Sequence, residues 1–298
     1  MGVRAIFSTL RQNPRRYVMA SELLRNIRRN PLGRALIALF NHDIKARLPD
    51  VRFPVYLQLS RNINELMGRD GGSEKRERAH LREVASLEKA RVFWDVGANI
   101  GQYSWELKSL NPTMKCCLFE PDPRNAQTIS RTIATAGLTD CQLFTFALSN
   151  QNGETIFYQD QVTGKTGSIA EPARVNSYSQ VQFGLQPLEL RVQTRRADDL
   201  LPELAPPDIL KVDVEGAEQI VLDGAWALIA RYRPALLIEI LKENAPAISA
   251  RLEGFGYQLL DAVTLAPAHG QSFNILALHR ERHAYSLTTF ASRQGSTG

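Results

Sequence analysis

Residues 95 to 101 read Asp-Val-Gly-Ala-Asn-Ile-Gly, an acid closing an apolar run and then small residues recurring along a loop. Gly97, Ala98 and Gly101 let a ligand come close to the backbone, and Asn99 is a residue that tolerates a left-handed conformation well. A dinucleotide loop would need G-x-G-x-x-G, with a helix N-terminus aimed at the pyrophosphate; that spacing is absent. A carboxylate at Asp95 would repel a pyrophosphate. It suits instead a ligand that carries an ammonium and a sulfonium, of which S-adenosylmethionine is the example. The plainer use of Asp95 is an acid satisfied by the N–H groups of a helix start. Glu120, followed by Pro121 and Asp122, ends the next apolar run and can accept hydrogen bonds from both hydroxyls of a ribose.

A second group of chemistry-bearing residues lies in ILKVDVEGAE. Lys211, Asp213 and Glu215 alternate, so a strand would put them on one side and Leu210, Val212 and Val214 on the other. Charges on a central strand need partners, and Lys211 is expected to pair with Asp95 or Asp213. A carboxylate at the mouth of such a strand, in a partly dried site, can act as general base for a weakly acidic proton. Asp213 is the first candidate base and Glu215 the second; the plainer reading lets Glu215 and Glu218 stabilise the following helix start. Ser168 and Glu239 are candidate acceptor contacts, although Ser168 also reads as a turn residue. Several acids at one mouth could hold Mg²⁺, but no residue is assigned to a metal. His42, His80, His269, His279 and His283 show no ligand spacing.

These residues must be held by a regular frame. Residues 1–48 read as basic helices interrupted by Pro14 and Pro31, 54–59 alternate like a strand, and 73–90 form a charged amphipathic helix. Together, 1–90 make a largely helical accessory region. From 91 to 283 apolar strands alternate with helical stretches, the pattern of a mostly parallel α/β sheet. Strands are expected at VFWDV, KCCLFE, CQLFTFAL, ILKVDVEG, PALLIEIL, GYQLLD and SFNILALHR. Helices are expected at 102–110, at 123–136, and as one piece over GAEQIVLDGAWALIARY. Residues 150–200 lose the helical period and suggest a β-hairpin insertion with a long loop. Residues 284–298 read as a polar, fraying tail.

Charge is unevenly distributed. Residues 1–90 hold 18 Lys and Arg against 9 Asp and Glu, and the remainder hold 18 against 22. A mildly acidic body argues against a nucleic-acid substrate, while the basic front could give residues 1–48 a weak peripheral membrane contact. Three cysteines, two of them adjacent, and no secretory or membrane-spanning segment suggest a cytoplasmic protein. Oligomeric state is not legible.

In order, DVGANIG, FEP, ALSNQNGE, GSI, DILKVDVEGAEQIVLDGA and RPALLIEI resemble the FkbM family of S-adenosylmethionine-dependent methyltransferases over residues 90–280. The resemblance implies a Rossmann-like seven-stranded class I methyltransferase sheet with helices on both faces. It also implies O-methylation of a sugar, glycan or natural-product hydroxyl. By that likeness Gly97, Asn99 and Gly101 would line the methionine part of the donor, Glu120 the ribose, and Ala147 and Leu148 the adenine. Leu241 departs from the histidine that many relatives carry after the glutamate of LLIEI. Two other readings stand beside this one: a nicotinamide-dependent oxidoreductase, and a non-catalytic protein that binds an adenosyl ligand.

Overall fold

The structure, a computed structural model, describes residues 42–59, 61–62, 72–162, 164–170, 184–268 and 274–295, with 27, 30, 32, 33 and 180 besides. The basic helices of 1–48, and their suggested membrane contact, fall almost wholly outside the described residues. One part does not: Asp43–Ala46 (β1) is a strand, paired antiparallel with Val55–Gln58 (β2), so this front region is not helical throughout. Val55 and Leu57 are fully buried, which the alternation of that segment foretells. Gly72–Leu87 (α1) follows as the charged amphipathic helix.

Along the body come Val92–Val96 (β3), Gln102–Leu110 (α2), Lys115–Phe119 (β4), Pro123–Ala136 (α3) and Cys141–Phe144 (β5). The limits of α3 have local causes. The carboxylate of Asp122 accepts the N–H groups of Arg124 and Asn125, Pro123 opens the first turn, and Gly137 closes it in the left-handed region at φ 64°. CQLFTFAL is not one strand. The chain leaves the main sheet at Thr145, turned by the packing of Phe144 and Phe146 against Phe119, and Ala147–Leu148 (β6) joins a separate sheet. That sheet holds the insertion, Gly153–Gln159 (β7) antiparallel to Leu188–Arg195 (β8), with β6 parallel to β8.

Ile209–Val212 (β9) returns to the main sheet, followed by Glu218–Asp223 (α4), Trp226–Tyr232 (α5), Ala235–Glu239 (β10), Ala245–Gly254 (α6), Tyr257–Asp261 (β11), Asn274–His279 (β12) and Ala284–Gly295 (α7). The seven strands run in the order β11, β12, β10, β9, β3, β4, β5, with β12 antiparallel to both neighbours and the described pairs among β10, β9, β3, β4 and β5 parallel. This is the Rossmann-like seven-stranded order of class I methyltransferases. Alternate residues of each strand feed two cores. Phe93, Leu118, Ile209 and Leu237 meet α1, α2, α3 and α7 on one face; Trp94, Phe119, Leu210 and Ile238 meet α4, α5 and α6 on the other. Each such side chain contributes about 1.5–3 kcal/mol on burial.

Two expectations about helices are corrected. GAEQIVLDGAWALIARY forms two helices, because Gly224 packs so closely that a Cβ there would lie 2.0 Å from the Ser149 carbonyl oxygen. Asp198 from a neighbouring 3-10 turn then caps the second helix, accepting the N–H of Leu228 at 2.8 Å. Residues 284–295 are not a frayed tail: Phe290 is 2% exposed, packs beside His80 of α1, and Arg293 donates to Glu83 at 2.9 Å. No described helix is long and apolar enough to cross a membrane.

Candidate functional site

Strand order reverses at β3, whose neighbours β4 and β9 carry their crossovers to opposite sides; a crevice opens at the carboxyl ends there. The glycine loop lines it. Gly97 at φ 72°, Asn99 at 54° and Gly101 at 80° all adopt left-handed backbone. A Cβ on Gly97 would sit 1.9 Å from the Asp213 carbonyl oxygen, so only glycine lets β9 close against the loop. The N–H groups of Gly97 and Ala98 both donate to the Phe119 carbonyl at 3.0 and 3.2 Å, tying the loop to the end of β4.

Asp95, expected to face the ligand, lies instead away from the crevice. It is fully buried on the side of β3 that meets α2, where Ser104 Oγ donates to it at 2.7 Å and Lys211 Nζ lies 3.2 Å away. Lys211 Nζ also lies 3.3 Å from Asp213 and donates to the Gly97 carbonyl at 3.0 Å. Burial works against this ammonium, yet Asp213 and Asp95 outweigh it and raise its pKa. Lys211 thus fixes the loop and the candidate base together. Removing Lys211 would leave the buried Asp95 without its counter-ion, at a cost of about 3–5 kcal/mol.

Two cavities meet at the crevice, and Gly97 and Asp213 line both. The narrow one, about 40 Å³, is bounded by Glu120, Pro121, Ala147, Leu148, Phe157 and Ile169. Glu120 is 5% exposed and accepts the N–H of Asn99 at 2.6 Å and of Asp122 at 2.9 Å. Burial, then the charge of Asp122, push its pKa up to about 8. Ser168 lines this narrow cavity and not the wide one. Its hydroxyl donates to the Val214 carbonyl at 3.0 Å, which makes it part of the wall rather than the acceptor contact expected.

The wide cavity, about 330 Å³, takes in Ala98, Asn99, Asp213, Glu215 and Glu239. The charge of Asp213, then burial, push the Glu239 carboxyl up to about 10, and burial ahead of Asp213 lifts Glu215 to about 8. Glu215 stands on left-handed backbone at φ 51°, a strain of order 1 kcal/mol. Glu218, by contrast, is fully buried, and its Oε1 accepts the Gly216 N–H at 2.7 Å beside the start of α4. Gly101 lines neither cavity; it caps α2, and a Cβ on it would lie 2.5 Å from the Trp105 ring.

The opposite wall escaped sequence reading. Ser73, Glu74, Glu77 and Arg78 of α1 line the wide cavity, with Asn274 of β12 donating to Glu77 at 2.8 Å. Burial raises Glu77 to about 7. On a helix so rich in charge, nothing in residue type separates Glu77 from its solvated neighbours. Among the described residues no group of three or more His, Cys, Asp or Glu is arranged to hold a metal ion.

Comparison with known proteins agrees with this frame. The model of the methyltransferase FkbM domain matches residues 95–259. The chain is 27% identical to the methyltransferase sdnD of Sordaria araneosa over 231 residues, covering 68% of this chain and 86% of that protein. It is 28% identical to methyltransferase 1 of Beauveria bassiana (strain ARSEF 2860) over 162 residues, 49% of this chain and 65% of the other. Among solved structures it resembles a methyltransferase FkbM from Methylobacillus flagellatus KT at a TM-score of 0.40 and 15% identity. That match covers 63% of this chain and 43% of that one.

Proposed function

Because this chain belongs to the FkbM methyltransferase family, we propose that it transfers a methyl group from S-adenosylmethionine to a hydroxyl of a sugar, glycan or natural-product acceptor. The observation that carries this reading is the meeting of two differently built cavities at Gly97 and Asp213. The narrow one offers apolar walls for a base and Glu120 for a sugar diol. The wide one offers carboxylates, and at its edge Asn99 Oδ1 is buried with no hydrogen-bond partner among the described residues, an acceptor suited to an ammonium. A positively charged adenosine derivative fits this donor set, whereas a pyrophosphate would meet acids.

When bound, the donor supplies an electrophilic methyl carbon. The protein's own residues do the rest. Glu120, aimed by the N–H groups of Asn99 and Asp122, holds the sugar; Asn99 and the glycine loop receive the amino-acid part. Asp213, steered by Lys211, is the base for the acceptor hydroxyl, with Glu215 as the second candidate. Glu239 beside it, pushed up to about 10 by the charge of Asp213 and then by burial, retains a proton at neutral pH. Three free, buried thiols are compatible with work in the cytoplasm.

The test is mass spectrometry of the protein incubated with isotope-labelled donor and a panel of neutral sugars and hydroxylated metabolites. One labelled methyl on an oxygen is the expected product. Asp213→Asn should lower turnover by about 10²–10⁴-fold while calorimetry shows donor binding kept. Unchanged turnover would remove Asp213 as base, and methyl found only on nitrogen or carbon would overturn O-methylation.

A further inference from the structure

Arg61, in the segment after β2, is 4% exposed and hydrogen-bonds residues 61 to 99 positions away in the chain. Its Nη2 donates to Asp122 Oδ2 at 3.0 Å and to the Asp160 carbonyl at 3.0 Å, and its Nη1 donates to Asn125 Oδ1 at 3.4 Å. Gly164 lies flat on the guanidinium, since a Cβ there would come within 2.0 Å of Nη2. The other oxygen of Asp122 caps α3 and accepts from Gln159 Nε2 at 2.8 Å, while Asn125 Nδ2 donates to the Gly164 carbonyl at 3.0 Å. Three pieces therefore meet on one cation: the turn Glu120–Pro121–Asp122, the start of α3, and the 160–168 segment that ends as the roof of the narrow cavity.

The arrangement has a chemical consequence. Glu120 must present a carboxylate to a sugar diol, yet Asp122 stands beside it, with its N–H on Glu120 Oε1 and its charge opposing a second one. Arg61 is the counter-ion of Asp122. Among the described residues, Lys211 and Asp213 from the end of β9 are the other charged groups placed about Glu120. Lys211 is already shared between Asp95 and Asp213. We propose that Arg61 is a positioning residue of the donor site: its guanidinium neutralises Asp122 and ties it to the roof, so that Glu120 faces less opposing charge and keeps the direction with which it grips the donor's sugar. This rests on the reading of Glu120 as the sugar ligand.

The experiment is calorimetric titration of the full chain with S-adenosylhomocysteine from pH 6 to 9.5, with melting curves as the folding control. Arg61→Met should weaken binding by about tenfold or more at pH 7.5, the effect of losing a charge-assisted partner. It should also move the pH at which half the affinity appears upward. Arg61→Lys should retain most of the affinity, and Arg61→Met with Asp122→Asn should return the midpoint towards that of the unaltered protein. A folded Arg61→Met with unaltered affinity and midpoint overturns the inference, as does a loss that is uniform in pH and not restored in the double variant. If Arg61→Met does not fold, Asp122→Asn carries the test: its midpoint should fall, and an unmoved midpoint overturns the inference. Glu120→Gln separates the two readings. If it binds like the unaltered protein, the sugar assignment itself fails; if it binds weakly while the Arg61 and Asp122 variants leave the midpoint unmoved, only the role of Arg61 fails.

Discussion

Gly97 shows how a ligand loop can be decided by protein contacts. Its left-handed φ and the Asp213 carbonyl oxygen 1.9 Å from a would-be Cβ both forbid a side chain. Gly97→Ala should therefore lower stability by about 1–3 kcal/mol and loosen β9 from the loop, read as a lower melting temperature with weakened donor binding. An unchanged melting temperature would mean that the loop relaxes freely. The spacing of Gly97, Asn99 and Gly101 was legible because small and left-handed residues leave a pattern in residue type. Asp95 was legible only in part: its pairing with Lys211 was expected, but the register that sets the two side by side and turns Asp95 from the crevice cannot be read from either strand alone. Ser168 is a similar case, since its hydroxyl is committed to Val214 of a strand end 46 residues away.

The elements were legible wherever their ends have local causes. Asn111-Pro112 stops α2 and Asp122, Pro123 and Gly137 bound α3, all from the immediate sequence. The break between α4 and α5 comes instead from distant partners, Ser149 against Gly224 and Asp198 on the N–H of Leu228. Gly224→Ala should force these apart and cost about 1–3 kcal/mol by overpacking, a drop that denaturant unfolding would reveal. Stability equal to the parent would show that the helices do not need this approach. Composition misled at α7, whose Ser and Thr residues suggest a tail; Leu287 and Phe290, one turn apart, are its anchoring stripe. The insertion was visible as strands because β7 and β8 alternate, but its placement over the narrow cavity follows from the sheet that β6 joins.

Across the whole molecule, the crevice gathers carboxyls that would rather stay protonated. Glu77 titrates near 7, Glu120 and Glu215 near 8 and Glu239 near 10, all above the ordinary 4.5. The folded chain thus binds more protons than the unfolded one, so these groups stabilise below 4.5 and their contribution is lost as pH rises through the folded values. His283, pushed down to about 3 by burial, acts oppositely, but only below its ordinary 6.5. From pH 6.5 to 9 the melting temperature of the ligand-free protein should fall, and a scanning fluorimetry series showing a flat or rising curve would contradict these values. The acidic body was legible from charge counts, and so was the meeting of Asp213, Glu215 and Glu239 at one mouth; Glu74 and Glu77 were not, because they come from a helix far away in the chain. The wall made by Glu74, Glu77, Arg78 and Asn274 lies wholly outside the 95–259 stretch that matches the FkbM domain. Rebuilding that helix and strand would reshape the mouth from one side only, with the glycine floor and the strand-end acids left standing.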